Sequence, residues 1–335
     1  MPSSIGVALI GAGNIAQSIH LPLLQKMPEV RLEAIVDRQV SKARLVADKH
    51  KVPLATKSLD DVLRMPSVDA VIVTTSTDAH AEIALAAIHA GKHVFIERPA
   101  ARSLAETQQI KAAADEAGLQ VMVGMNHRFR PDVAHMKNAV DRGEIGDIFY
   151  VKAGWVKQRS TDARWMANAD KSGGGVLVDL GMSVLDMILH IFNFGRVHSV
   201  VANTYHQETR TVEDIAIAML TFENGSVATI EASWSLIRAE DLYYCNVFGK
   251  KGSAYINPFK VVKKVDSTVQ VVQPEATKSQ LAVYKKSYET EFRHFVSGVR
   301  GIIPMISTID EAVERMKIIE AMYASAELKR EIVIP

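Results

Sequence analysis

Two stretches of this chain place chemically useful residue types at useful spacings. The first is Gly11-Ala12-Gly13-Asn14-Ile15-Ala16, with the spacing G-x-G-x-x-A. Two glycines allow a tight turn and let the main chain approach a pyrophosphate, and the small Ala16 lets a helix pack closely on a strand. A helix opening at Asn14 and Ile15 turns free N–H groups and the positive end of its dipole toward that anion. Asp37 closes the next apolar run, where a carboxylate accepts hydrogen bonds from the adenosine ribose hydroxyls. Its charge repels a 2′-phosphate and so favours NAD. Arg38, directly after it, could accept that phosphate, which keeps NADP open. The competing account is a glycine turn that holds no ligand.

The second stretch is a helical pattern from Val176 to about Phe192. Asp179, Ser183, Asp186 and His190 recur there at intervals of 4, 3 and 4. At ~100° per residue they share one narrow face of an otherwise apolar helix. A solvated face would carry Lys or Glu, and this one has neither, so the stripe reads as cleft-lining or internally hydrogen-bonded. His190 lies ~10 Å along the axis from Ser183 and reads as structural. So does His20, beside Pro22. His127 follows a strand end near the domain junction, where ligand crevices form; a histidine bonded to the local backbone is an equal reading. Lys157-Gln158-Arg159 ends a strand and precedes Arg164-Trp165. These cations could accept a carboxylate or phosphate, or be solvated loop charges. The 11 histidines show no metal-ligand spacing, so no metal is expected. No G-x-S-x-G elbow appears.

The elements that position these groups fall into two regimes. Up to residue 125, short Val- and Ile-rich runs (Ile5–Gly11, Arg31–Asp37, Ala70–Thr75, His93–Glu97, Gln120–Gly124) alternate with helical stretches (Ile15–Lys26, Ser41–Lys51, Ala79–Ala90, Ser103–Ala117). That alternation predicts βαβ units and a parallel sheet. Gly91 and Gly118 stand where helix C-caps belong. Beyond Met125 the strands lengthen: Ile148–Val156, Val197–Thr204, Ile215–Phe222, Ser226–Trp234 and Tyr243–Phe248, with a hairpin signal at Asn224-Gly225. Helices are expected over Tyr288–Arg300 and Thr308–Leu328. The expected fold is α/β: an NAD(P)-binding Rossmann domain over 1–125, and an α+β substrate and oligomerisation domain over 126–335 with a mainly antiparallel open sheet. The final helices could pack back on the first domain.

With 335 residues, two domains are the natural division. Hydrophobic residues at 48% and charged residues at 23% exclude disorder as the main state. The 39 basic and 38 acidic residues nearly cancel, so nucleic acid and membrane partners are not expected. No apolar run of ~18 residues stands out, and no transmembrane helix is expected. One cysteine cannot form an internal disulfide, and a reducing cytoplasmic location is expected.

Several segments, in order along nearly the whole chain, resemble the Gfo/Idh/MocA family of sugar and polyol oxidoreductases. Besides the glycine fingerprint they are Thr74-Thr75-Ser76-Thr77-Asp78-Ala79-His80, the run from Ala90 through Glu97-Arg98-Pro99, Asn126-His127-Arg128-Phe129, Ser172-Gly173-Gly174-Gly175 with Asp179-Leu180-Gly181, and Glu291-Phe292-Arg293-His294-Phe295. The resemblance implies hydride transfer between a nicotinamide and a carbinol carbon. It implies cofactor contacts from Gly11, Gly13, Asn14, Ile15, Asp37, Arg38, Thr74, Thr75, Ser76, His80, Glu97 and Arg98. It implies substrate contacts from His127, Lys157, Arg164, Trp165 and Asp179, and a homodimer or homotetramer built through the open sheet.

Members usually carry Glu-Lys-Pro, where this chain has Glu97-Arg98-Pro99, and Asp-x-Gly-x-His, where it has Asp179-Leu180-Gly181-Met182-Ser183. Arg98 keeps a charge that stabilises developing negative charge but holds its proton near neutral pH. Ser183 without a base is a poor proton acceptor. The resemblance therefore assigns catalysis to Arg98, Asp179 and Ser183. The alternative is a catalytically silenced nucleotide- or sugar-binding regulator or partner subunit.

Overall fold

The computed structural model describes residues 4–158, 164–266, 268–273 and 279–335. The chain divides into two compact units: 1–126 with 285–313, and 127–284 with 314–335. The chain thus crosses between units three times, and the first unit includes a C-terminal segment that the 126–335 expectation places in the second.

The first unit is built on a parallel sheet of β1 (Ile5–Ile10), β2 (Val30–Val36), β3 (Leu54–Thr56), β4 (Ala70–Val73), β5 (His93–Ile96) and β6 (Val121–Val123), in the order β3-β2-β1-β4-β5-β6. Helices cover the sheet, which is why β1 and β4 are buried along their whole length. The order reverses between β1 and β4, and ligands of such sheets bind beyond the carboxyl ends of the strands at that reversal. β3 is too short and too polar in its surroundings to show in the apolar pattern. Gly118 caps its helix in the left-handed conformation, with φ of +64°.

Residues 285–313 complete this core. Phe292 and Phe295 lie 5.0 and 5.6 Å, ring to ring, from Phe95 on β5, and all three are buried. Val123 on β6 donates its N–H to the Ser307 carbonyl at 2.8 Å, and the Ser307 hydroxyl donates to the Val123 carbonyl at 2.6 Å.

The second unit carries a nine-stranded sheet in the order β14-β13-β12-β11-β7-β10-β9-β8-β15. Its strands are β7 (Ile148–Val156), β8 (Val197–Tyr205), β9 (Ile215–Phe222), β10 (Val227–Ser233), β11 (Leu242–Gly249), β12 (Gly252–Ile256), β13 (Lys260–Val265), β14 (Thr268–Val272) and β15 (Ile332–Val333). Every neighbouring pair is antiparallel except β7 with β10. The β9–β10 hairpin turns at Asn224-Gly225, where Gly225 has φ of +82°.

The helix Met182–Ile191 packs on β7 and β10. Ala153, Ala228, Ile230 and Ala232 are buried in this unit, as are Ala216, Ala218 and Leu220 on β9. Ile217 and Met219 alternate with the buried β9 residues and are exposed. Among the described residues one helical stretch, Ala169–Ile191, is long and apolar enough by composition to span a membrane. Its burial, 89% over the most apolar window, is that of a core helix.

Candidate active site: a nucleotide cradle and a carboxylate helix

In the first unit the carboxyl ends of β1, β2, β4 and β5 deliver the glycine loop, Asp37, Thr74-Thr75-Ser76 and Glu97-Arg98 to one edge of the sheet. Gly11 must be glycine. Its φ is +102°, and a Cβ would stand 2.8 Å from the Thr74 carbonyl oxygen. Thr74, buried, donates its hydroxyl to the Gly11 carbonyl at 2.6 Å, so β4 braces the loop across the strand reversal. Asp37 braces it from the other side, accepting the Ala12 N–H on Oδ2 at 2.9 Å and the Gln39 N–H on Oδ1 at 2.9 Å.

Gly13 differs from Gly11. Its φ is ordinary, and a Cβ there would meet only the Thr74 carbonyl oxygen, at 3.6 Å. Neither strain nor internal packing accounts for glycine here. A Cβ would fill space over the loop that a pyrophosphate needs. Among the described residues the amides of Gly13, Asn14 and Ile15 have no backbone acceptor, so they are available to an anion. Each Asp37 oxygen accepts one main-chain amide, with Lys42 Nζ 3.8 Å from Oδ2, and a carboxylate oxygen can accept a further hydrogen bond from a ribose hydroxyl. These residues fit a dinucleotide. Arg38 and Asn14 are exposed.

Other residues expected to touch the cofactor also make hydrogen bonds within the protein. His80 is 1% exposed, with Nδ1 2.8 Å from the Pro99 carbonyl and Nε2 3.2 Å from the Thr75 carbonyl. Burial lowers its pKa and favours the neutral ring. A neutral ring has one N–H, so it donates to one of these two carbonyls, and the nearer is that of Pro99. Thr75 bonds the neighbouring Ser76 carbonyl through its hydroxyl, at 3.2 Å, and Ser76 bonds Asp78. Glu97 Oε1 lies 2.8 Å from His20 Nε2. Burial pushes the Glu97 carboxyl up, but the His20 hydrogen bond and the charges of His20 and Arg98 outweigh it and hold it below the usual range. Arg98 itself is half-buried and is joined to Pro99 by a cis peptide bond.

His20 reaches Glu97 from a π-helical turn, Ala16–His20, where an α-helix was expected. Pro22 has no N–H for the Ser18 carbonyl, and the Leu21 N–H bonds instead to Ala16, one residue farther back than in an α-helix.

A second π turn, Leu177–Gly181, carries Asp179 in the other unit. It interrupts the 3.6-residue periodicity on which the expected stripe rests. Asp179 is half-buried, and its Oδ2 accepts the indole N–H of Trp234 at 3.0 Å. Ser183 is 5% exposed. Asp186 is 1% exposed and lies between two buried guanidinium groups, with Arg128 Nε at 2.7 Å and Arg315 Nη1 at 2.7 Å. Burial pushes the Asp186 carboxyl up, and these two charges more than reverse it. Burial, then the Arg128 charge, lower the His190 pKa to about 4. Asp186 is therefore an internal ion-pair element.

The tight loop before this helix has its own cause. A Cβ on Gly174 would stand 2.1 Å from the Tyr323 hydroxyl, and one on Gly175 2.1 Å from the Glu213 carbonyl oxygen. The glycines accommodate protein atoms, not a phosphate.

The remaining candidates lie in the second unit. His127 is buried against Trp155 and Tyr243, at ring distances of 4.6 and 4.5 Å. Lys157 is exposed and stands 3.8 Å from Asp241. Trp165 is half-buried in a short 3₁₀ turn, Arg164–Ala167, and Arg159 lies outside the described residues. Sequence reasoning missed Trp234, Glu213 and Tyr323. Glu213 precedes β9, Trp234 follows β10 and Tyr323 lies in the helix Ile309–Leu328, so no single local pattern links them to Asp179. Among the described residues no group of His, Cys, Asp and Glu is arranged to hold a metal.

Comparison with known proteins places these halves. Residues 5–125 match the oxidoreductase family, NAD-binding Rossmann fold, and residues 137–334 match the oxidoreductase family, C-terminal alpha/beta domain. The uncharacterized oxidoreductase YrbE of Bacillus subtilis (strain 168) is 31% identical over 89% of this chain and 87% of its own. D-glucoside 3-dehydrogenase of Escherichia coli (strain K12) is 25% identical over 97% of this chain and 96% of its own. The crystal structure of GenD2 from gentamicin A biosynthesis, in complex with NAD, superposes with a TM-score of 0.88 at 25% identity, covering 100% of this chain and 97% of that one. The chain therefore belongs to the Gfo/Idh/MocA family of NAD(P)-dependent oxidoreductases.

Proposed function

We propose that this oxidoreductase moves hydride between a nicotinamide and a ring carbinol carbon of a sugar, cyclitol or related polyol, with Asp179 as the proton-handling group. The observation that carries the reading is the state of the carboxylate helix. Asp186 is consumed by two guanidinium groups and His190 is neutral near pH 7, whereas Asp179 is half-buried with one oxygen oriented by the Trp234 indole. The nicotinamide, when bound, supplies the hydride chemistry.

Arg98 donates hydrogen bonds to the reacting oxygen and stabilises negative charge there. It retains its own proton, so Asp179 takes the hydroxyl proton on oxidation and returns it on reduction. Ser183, buried one turn on, relays a proton rather than accepting it. Asp37 favours NAD as the dinucleotide. Lys157, Arg164 and Trp165 are retained as substrate-side groups, with the cations suited to a carboxylate or phosphate on the sugar. The similarity to D-glucoside 3-dehydrogenase supports a secondary hydroxyl as the reacting group. The exposed Ile217 and Met219 on the open sheet face support a homo-oligomer built through that face.

The test is absorbance at 340 nm with NAD and NADP over a panel of aldoses, inositols and polyols. Asp179→Asn is expected to lower kcat/KM by ~10²–10⁴-fold and Arg98→Ala by ~10²–10³-fold. NADH affinity is expected to be unchanged in Asp179→Asn. Wild-type turnover by Asp179→Asn would remove that residue from the proton path.

A further inference from the structure

Glu213 and Asp214 are consecutive carboxylates, 5% and 0% exposed, entering β9. Two adjacent buried acids with no ion pair on either among the described residues need another explanation for their cost. Their hydrogen bonds supply one, and they lead to Asp179 from two directions.

Glu213 holds the start of the helix that carries Asp179. Its carboxylate accepts the Gly175 N–H at 3.1 Å, the Leu177 N–H at 2.9 Å and the Tyr323 hydroxyl at 2.9 Å. Its main-chain carbonyl accepts the Val176 N–H at 3.0 Å. Three successive amides at a helix start, all normally without an intrahelical acceptor, thus end on one residue. Asp179 lies two residues beyond the last of them.

Asp214 holds the residue that holds the Asp179 side chain. Its main-chain carbonyl accepts the Trp234 N–H at 2.9 Å, and its carboxylate accepts the Ser235 hydroxyl at 3.1 Å. The same carboxylate accepts the amides of Gln207, Glu208 and Thr209, at 3.0, 2.6 and 2.8 Å. Trp234 is therefore pinned at its main chain and at its neighbour, with its indole N–H 3.0 Å from Asp179 Oδ2.

We propose that Glu213 and Asp214 are a positioning pair for Asp179, one fixing its helix and the other fixing the Trp234 indole that orients its carboxylate. The proposal rests on the reading of Asp179 as the proton-handling group. Neither residue touches substrate. The pair sets where the Asp179 oxygen stands, and misplacement of a reacting group by ~1 Å can cost ~10²-fold in rate.

The test combines a positional and a kinetic readout on the full chain. The Trp234 indole N–H resonance of ¹⁵N-labelled protein is assigned as the peak lost in Trp234→Phe. It is expected to move in Asp179→Asn, in Asp214→Asn and in Glu213→Gln. In parallel, kcat is expected to fall at least ~10-fold in Trp234→Phe, Asp214→Asn and Glu213→Gln, with NADH affinity unchanged. Its partial rescue by the conservative Glu213→Asp would separate positioning from simple loss of fold. An indole peak unmoved by both Asp214→Asn and Glu213→Gln overturns the pair while leaving the role of Asp179 intact. Peaks that move while Asp179→Asn keeps wild-type turnover overturn the reading of Asp179 and the positioning role with it. If either carboxylate variant fails to fold, Trp234→Phe with wild-type kcat overturns the proposal by itself.

Discussion

Asp37 illustrates how one side chain serves both fold and ligand. Its carboxylate accepts the Ala12 and Gln39 amides, so it shapes the glycine loop before any cofactor arrives. Asp37→Ala is expected to raise the KM for NAD at least ~10-fold and to narrow the preference for NAD over NADP, because Arg38 then faces a 2′-phosphate without an opposing carboxylate. The ratio of kcat/KM for the two cofactors measures it. His190 sets a pH dependence. Its pKa is lowered to about 4 in the folded protein against the ordinary 6.5. Above pH 6.5 it is neutral folded or unfolded and contributes nothing. From 6.5 down to about 4 the unfolded chain binds the proton first, so stability falls as pH falls. Thermal unfolding across this window is expected to drop less steeply for His190→Asn than for wild type; equal slopes would exclude His190 as a source.

At the scale of the element, both π turns sit where the chain brings a functional group out of register. The first carries His20 to Glu97 and the second carries Asp179 to Trp234. π turns inside α-helices are frequent at functional sites. Pro22 accounts for the first. The second follows a loop compressed between Tyr323 and Glu213, and that compression is testable. In Gly175→Ala the new Cβ would stand 2.1 Å from the Glu213 carbonyl oxygen and 2.8 Å from its carboxylate, so the helix start must shift. The melting temperature is expected to fall by several degrees, ~2–4 °C for each kcal/mol in a domain the size of the second unit. An unchanged melting temperature would mean that the loop yields without strain.

Across the whole molecule, the first unit is not a contiguous stretch of chain. Phe95 is covered by Phe292 and Phe295, and Ser307 pairs with Val123, so residues 285–313 belong to its core. A fragment ending at residue 126 is expected to leave these apolar groups exposed, to bind a hydrophobic dye and to lose a sharp unfolding transition. Adding back 285–313 through a short linker is expected to restore the transition. A fragment 1–126 that melts cooperatively, without dye binding, would show that the returning segment is dispensable.

The sequence by itself determined whatever depends on local pattern. The parallel sheet was legible because its strands are short apolar runs between helices, and the nucleotide loop because Gly11, Gly13 and Ala16 stand at fixed spacing. The long β-strands of the second unit and the Asn224-Gly225 hairpin were legible for the same reason. β3, the strands from β12 onward and the helix Pro131–Asp141 were not, being short, weakly patterned or partly exposed. Asp179 was legible as a candidate, but its difference from Asp186 was not. A π turn changes the angular spacing that a 3.6-residue helix implies, and Arg128 and Arg315 come from distant parts of the chain. Only the tertiary structure decided that Gly174 and Gly175 make room for Tyr323 and Glu213, that His80 bonds the Pro99 carbonyl, and that Trp234 orients Asp179. Each depends on groups far apart in sequence, whose meeting no local periodicity records.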